Sequence, residues 1–166
     1  MITNIMADMI RYFDGDVRRI NHALKVHSFA HIISSESNLD EQKKVILSLA
    51  AILHDIGIKE AERKYNSSSG KHQEIEGPPI AREIMSPYHL DPDVVERVCF
   101  IIGNHHSYAA IDGIDFQILV EADFLVNIFE DSMSVESVQN IHKKIFKTEM
   151  GTRLLMEMYP HGGLSA

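Results

Sequence analysis

The sequence predicts an all-α, single-domain helical bundle, and three observations carry that expectation. Apolar residues recur at three- and four-residue intervals through most of the chain. Aspartate, serine, glycine and proline punctuate these runs where helices start and stop. Alternating apolar and polar stretches of strand length are missing from the sequence. At 166 residues the chain is long enough for one sizeable core. No repeat or composition break divides it. One domain over 1–166 is expected, with its core at about 16–130.

Taken in order, Ile5, Met6, Met9, Ile10 and Phe13 share one helical face, so residues 3–13 read as a short covering helix. Asp14-Gly15-Asp16 interrupts it, and Asp16 can cap the next helix. Residues 17–37 form a long helix whose stripe His22, Val26, Ala30, Ile33 puts a histidine in line with core residues. Asp40 caps a helix over 41–55, and Gly57 is expected to end it through a left-handed turn. Residues 58–71 read as a short helix and a mobile polar loop. Helix resumes over 72–86, with a bend or break expected at Gly77-Pro78-Pro79. Asp91-Pro92 opens a helix from about 92 to 103 that runs into Gly103-Asn104-His105-His106. Residues 115–130 are almost continuously apolar, which predicts a central helix, yet they include Glu121 and Asp123. Amphipathic helices at 134–147 and 149–158 pack on this core, and 160–166 read as a loose tail.

Composition narrows the function classes. Net charge is −8, from 24 acidic and 16 basic residues, so a broad basic face for bulk nucleic acid or an anionic membrane is not expected. A small phosphate ester stays compatible, because a bound metal supplies positive charge locally. The single Cys99 sits in an apolar run and allows no intrachain disulfide. A reducing, cytoplasmic setting is expected. No apolar run approaches membrane-spanning length, and no signal peptide is read at the N-terminus.

Ten histidines stand out, several in apolar settings. The run Leu49-Ala50-Ala51-Ile52-Leu53-His54-Asp55-Ile56-Gly57 ends a buried helix in an adjacent imidazole and carboxylate. Such a pair is costly unless something binds it. Five segments each bring an awkward polar residue toward the core: His22, His54-Asp55, His72, His105-His106 and Asp123. Imidazole and carboxylate together suit a divalent first-row transition metal. Asp123 sits among Leu119, Val120, Phe124 and Val126, where an unpaired carboxylate must protonate or find a cation. His27 and His31 form a rival i, i+4 pair. At about 100° per residue His22 and His27 point about 140° apart and cannot serve one site. His22 lies on the more apolar stripe, and a partly exposed face is expected for the other two.

These pieces, in this order, resemble the HD superfamily of metal-dependent phosphohydrolases. The matching text is His22-x-x-x-Val26-x-x-x-Ala30, Ala51-Ile52-Leu53-His54-Asp55-Ile56-Gly57, His72-x-x-x-x-Gly77-x-x-x-Ala81, Ile102-x-x-His105-His106 and Glu121-Ala122-Asp123-Phe124-Leu125, from about residue 18 to 127. The resemblance implies an all-α fold and a first metal held by His22, His54, Asp55 and Asp123. By the same match, His72 and His105 hold a second ion bridged by Asp55. His106 then either joins that site or hydrogen-bonds the substrate. Relatives acting on guanosine tetraphosphate carry a Glu-Asp pair where this chain has Ile58-Lys59-Glu60. Cyclic-di-GMP hydrolases carry a glutamate and a Gly-Tyr-Pro signature where this chain has Ser107-Tyr108-Ala109-Ala110. A symmetrical dinucleoside tetraphosphatase group shares the six ligands in different surrounding text. The resemblance therefore implies a chemistry more than a substrate.

The expected reaction is hydrolysis of a phosphomonoester or phosphodiester in a small nucleotide-like substrate by a metal-activated water. Catalytic candidates are Asp55, His106, and two cations placed to steady phosphate, Lys59 after the His-Asp pair and Arg18 one turn before His22. Glu121, His106 and Asn127 are candidates to orient the ligands. Two alternatives accompany this reading: a diiron oxygenase of the same fold, and a non-catalytic nucleotide-binding module. Metal identity, among iron, manganese, nickel and magnesium, is not encoded in the ligand set. Oligomeric state is open, with a homodimer one option.

Overall fold

A computed structural model describes residues 1–160 of the chain. Its elements are α-helices Ile2–Phe13 (α1), Val17–Ser35 (α2), Glu41–Leu53 (α3), Ile58–Tyr65 (α4), Gly70–Met85 (α5), Pro92–Ile102 (α6), Ile114–Glu130 (α7), Val135–Lys144 (α8) and Glu149–Met158 (α9). Short 3-10 turns follow α5 at Ser86–Tyr88 and precede α7 at Tyr108–Ala110. Among the described residues there is no strand. The all-α, single-domain expectation is met. The expected loose tail lies outside the described residues except for Pro160.

Local chemistry sets the helix starts. Asp16 accepts from the Arg19 amide at 3.2 Å, Asp40 from Lys43 at 2.8 Å, and Thr148 from Gly151 at 3.0 Å. Each satisfies an amide that the first helical turn leaves without a partner. Pro92 opens α6 behind Asp91, where a missing N–H costs nothing.

The core is organised around the last turns of α3. Leu49, Ala50, Ala51, Ile52 and Leu53 are each no more than 1 % exposed, so this segment is surrounded on every side. α2, α6 and α7 pack on it, α1 covers it, and α5 packs on α6 and α4. α7 is central as expected along most of its length: Phe116, Ile118 through Ala122, Leu125, Val126 and Ile128 are buried, while Phe129 near its end is 77 % exposed.

Two expectations about glycine and proline are corrected. Gly57 does not adopt a left-handed conformation; its φ is −74°. Its role is close approach. A Cβ there would meet the Gln73 carbonyl oxygen and the Gly77 amide nitrogen at 2.5 Å. Nor does α5 break at Gly77-Pro78-Pro79; it runs through both prolines. Gly77 lacks the Cβ that would clash with the following proline ring. A Cβ on Gly77 would also sit 2.6 Å from Ile102. The two glycines thus let α5 lie directly against the His54–Gly57 turn and α6. That contact brings Gln73 beside the polar residues at the centre of the molecule.

Candidate metal centre

His54 caps the C-terminus of α3, and Asp55 follows in the turn. His105 and His106 follow the C-terminus of α6 in the same way. Two helix C-termini, each the negative end of its macrodipole, therefore converge where these residues sit. α2 supplies His22 from its buried face, and α7 supplies Asp123.

The candidate ligand atoms form two groups. His22, His54 and Asp123 make the first, and Asp55, His105 and His106 the second; within each, the donor atoms lie within 4.8 Å of one another. His22 Nε2 is 3.2 Å from His54 Nε2 and 3.1 Å from Asp123 Oδ1. Asp55 faces both groups. Its Oδ2 is 3.6 Å from the Nε2 atoms of His22 and His54, and its Oδ1 is 3.3 Å from His105 Nε2.

The hydrogen bonds on the far side of each ring show why a cation fits. His54 Nδ1 lies 2.9 Å from the Ala51 carbonyl oxygen and His105 Nδ1 2.8 Å from that of Ile102. His22 Nδ1 lies 2.9 Å from Glu130 Oε2. An oxygen acceptor at Nδ1 requires the proton there, which leaves a lone pair on each neutral ring's Nε2. While the rings are neutral, three lone-pair atoms and the carboxylates of Asp55 and Asp123 converge with no donor among them. His105 Nε2 is buried and has no hydrogen-bond partner among the described residues. Buried acceptors facing one another are costly, and a divalent cation removes that cost.

The carboxylates draw positive charge to these rings, as a proton or as a metal ion. Burial pushes the His22 imidazolium down, but Asp123, Asp55 and Glu130 outweigh it and raise its pKa to about 9. His54 is raised on balance, with burial opposing Asp55 and Asp123. Asp55 and Asp123 sit below the usual carboxylate range, because their histidine neighbours overcome the cost of burial. The site thus holds positive charge firmly. His106 behaves oppositely: burial and His105 hold it down at about 4, so its ring is neutral near pH 7.

The predicted site residues divide in the structure. His22, His54, Asp55, His105 and Asp123 come together as expected, and His106 joins them. His72 does not belong to either group. Its ring stacks on Tyr65 at 4.0 Å between centroids, and its Nδ1 is 3.2 Å from Ser69 Oγ. Gln73, the next residue, faces the site instead, with Oε1 3.4 Å from His106 Nε2. Arg18 lines the cleft, 75 % exposed, with Asp131 3.5 Å away. Lys59 points elsewhere, donating to the Tyr12 carbonyl at 3.0 Å and covering that ring. Glu121 anchors the C-terminal helices: it accepts from the amides of Lys147 and Thr148 at 2.6 and 3.0 Å and from the Thr148 hydroxyl. Asn127 lines the cleft. His27 and His31 lie on a half-buried to exposed face, as expected.

Glu130, Arg19 and Gln73 escape the sequence reading. Glu130 lies seven residues after Asp123 with Asn127 between, a helical spacing that marks one face of α7. Lys25 pairs with the other oxygen of Glu130. Arg19 bridges Asp16 and Glu62 at 2.9 and 2.5 Å on the cleft wall. The cleft over both groups has a volume of about 420 Å³.

An all-α domain that gathers histidines and aspartates from helix ends into two adjoining groups is a scaffold for holding cations. Its sequence matches the HD domain family model over residues 19–148, and the chain belongs to that family. The crystal structure of a predicted HD superfamily hydrolase from an uncultured Thermotogales bacterium is similar, with a TM-score of 0.66 and 23% identity. The match covers 96% of this chain and 84% of that one, a likeness of fold. No curated protein matches the sequence. No helix among the described residues is long and apolar enough to cross a membrane.

Proposed function

We propose that this chain is a metal-dependent phosphohydrolase holding two divalent transition-metal ions, and that it cleaves a phosphomonoester or phosphodiester bond in a small substrate. One observation carries the reading: Asp55 turns one oxygen to His22 and His54 and the other to His105, which is the arrangement of a bridging carboxylate. Membership of the HD domain family supports it, as does the likeness to a predicted hydrolase of that superfamily.

His22, His54 and Asp123 would hold one ion, and His105 and His106 the other, with Asp55 shared. Bound there, the ions would supply an activated water at neutral pH and neutralise charge on the phosphoryl group. Glu130 fixes the His22 ring through Nδ1, and the Ala51 and Ile102 carbonyl oxygens fix His54 and His105. Gln73 holds His106 on one side and donates to the Ser68 carbonyl at 2.7 Å on the other, tying the Asn66–Ser69 loop to the site. Arg18 is the cation placed to meet a phosphate at the cleft mouth.

The test is to quantify metal in the purified protein and assay it on a panel of phosphoesters. Hydrolysis that follows metal content is expected. Fully loaded protein that cleaves no phosphoester would contradict the reading, and oxygen consumption by an iron-loaded form would replace it with the oxygenase.

A further inference from the structure

We infer that the substrate carries a single phosphate on a small hydroxyl-bearing group, with neither a nucleobase nor a polyphosphate chain. The inference rests on the phosphohydrolase reading for the cleft's role and on the cleft wall for its selectivity. A nucleobase binds where an aromatic face or broad apolar surface receives its ring. Among the described residues, Ile58 is the sole apolar side chain in this cleft, and no Phe or Tyr lines it. The rings that do line it are His22 and His106, which belong to the metal groups. The remaining wall is Ser68, Gln73, Asn127 and charged side chains, suited to hydroxyl groups.

Charge sets the number of phosphates. Among the described residues, six carboxylates line the cleft against two guanidiniums. Two divalent ions would bring that lining to neutrality, and Lys25, paired with Glu130 from outside it, adds one positive charge. Arg19 is committed to Asp16 and Glu62. Arg18, at 3.5 Å from Asp131, is the looser cation on the wall. One phosphate dianion is therefore accommodated by the metal site. Each further phosphate would have to lie along a wall bearing Asp16, Glu62 and Asp131.

The test uses the full chain loaded with manganese in excess. Non-hydrolysable phosphonate analogues, with CH2 in place of the ester oxygen, are titrated calorimetrically. The probes are the analogues of ribose 5-phosphate and adenosine 5′-monophosphate, and a methylene analogue of adenosine triphosphate. The ribose and adenosine monophosphate analogues are expected to bind within about 3-fold of each other, because a stacked base would add about 5-fold or more. The triphosphate analogue is expected to bind about 10-fold more weakly. The double variant Glu62→Gln, Asp131→Asn should narrow that last gap. A base that tightens binding more than 5-fold, a triphosphate that binds as tightly as the monophosphate, or a gap unmoved in the double variant would overturn the inference. Turnover of ribose 5-phosphate, measured in parallel, separates the two claims. The expected binding order with no turnover of ribose 5-phosphate or of any phosphoester on the panel refutes the hydrolase and keeps the ligand class; turnover with the reverse order does the opposite.

Discussion

At the scale of single residues, the site depends on which ring nitrogen carries a proton. Backbone carbonyl oxygens decide this for His54 and His105, while a carboxylate decides it for His22. A carboxylate partner makes the imidazole a stronger ligand than a carbonyl does. Glu130→Gln should therefore lower manganese affinity by about 10-fold or more, read by calorimetry; unchanged affinity would mean that Glu130 serves only Lys25. Asp55→Ala should lose bound metal from both groups, because each group faces one of its oxygens. Four of the proposed ligands are legible because they break apolar runs: His22 on a core stripe, His54-Asp55 at a buried helix end and Asp123 inside an apolar helix. His72 illustrates what was not legible. Neighbouring helical residues point about 100° apart. Whether His72 or Gln73 faces the site depends on the course of α5 through Pro78 and Pro79, which only the packed structure sets.

At the scale of elements, α5 reaches the site because Gly57 and Gly77 remove two Cβ atoms from its path. In Gly57→Ala the methyl would meet backbone atoms, which cannot rotate away. A loss of about 1–3 kcal/mol in denaturant unfolding is expected, with weaker metal binding at the His106 side where Gln73 rests. The sequence marks Gly57 as a helix terminator but does not reveal what lies against it, because that neighbour comes from a helix sixteen residues later. The C-terminal helices attach through Glu121 and Thr148. Thr148→Ala removes both a cap and a buried hydroxyl, so a loss of about 1–2 kcal/mol is expected with metal content unchanged. Lost metal in that variant would place Glu121 among the residues that orient the site.

For the whole molecule, metal and pH are the two external controls. Ions that bind only the folded chain stabilise it by about 2.7 kcal/mol at 100-fold above the dissociation constant. Manganese loading should therefore raise the melting temperature by about 5–10 °C, and a chelator should reverse the gain. Away from the metal centre, Arg97 holds Asp112 and Asp115 and so ties the loop before α7 to α6. Burial raises the Asp115 carboxyl, but the Arg97 guanidinium overcomes it and holds the pKa below the ordinary 3.8. A depressed carboxylate contributes stability above its unfolded value and loses it as pH falls through the folded one. Arg97→Met should accordingly be less stable than the parent near neutrality, with the gap closing below about pH 4. A gap constant with pH would assign the effect to lost packing on Phe100 instead.

The central claim is that Asp55 joins two metal sites, one completed by His22, His54 and Asp123 and the other by His105 and His106. The most direct measurement is the anomalous difference map of a manganese-loaded crystal. The account predicts two peaks flanking the Asp55 carboxylate, the second next to His106 and remote from His72. A single peak, or a second ion held by His72 with His106 turned away, would contradict it.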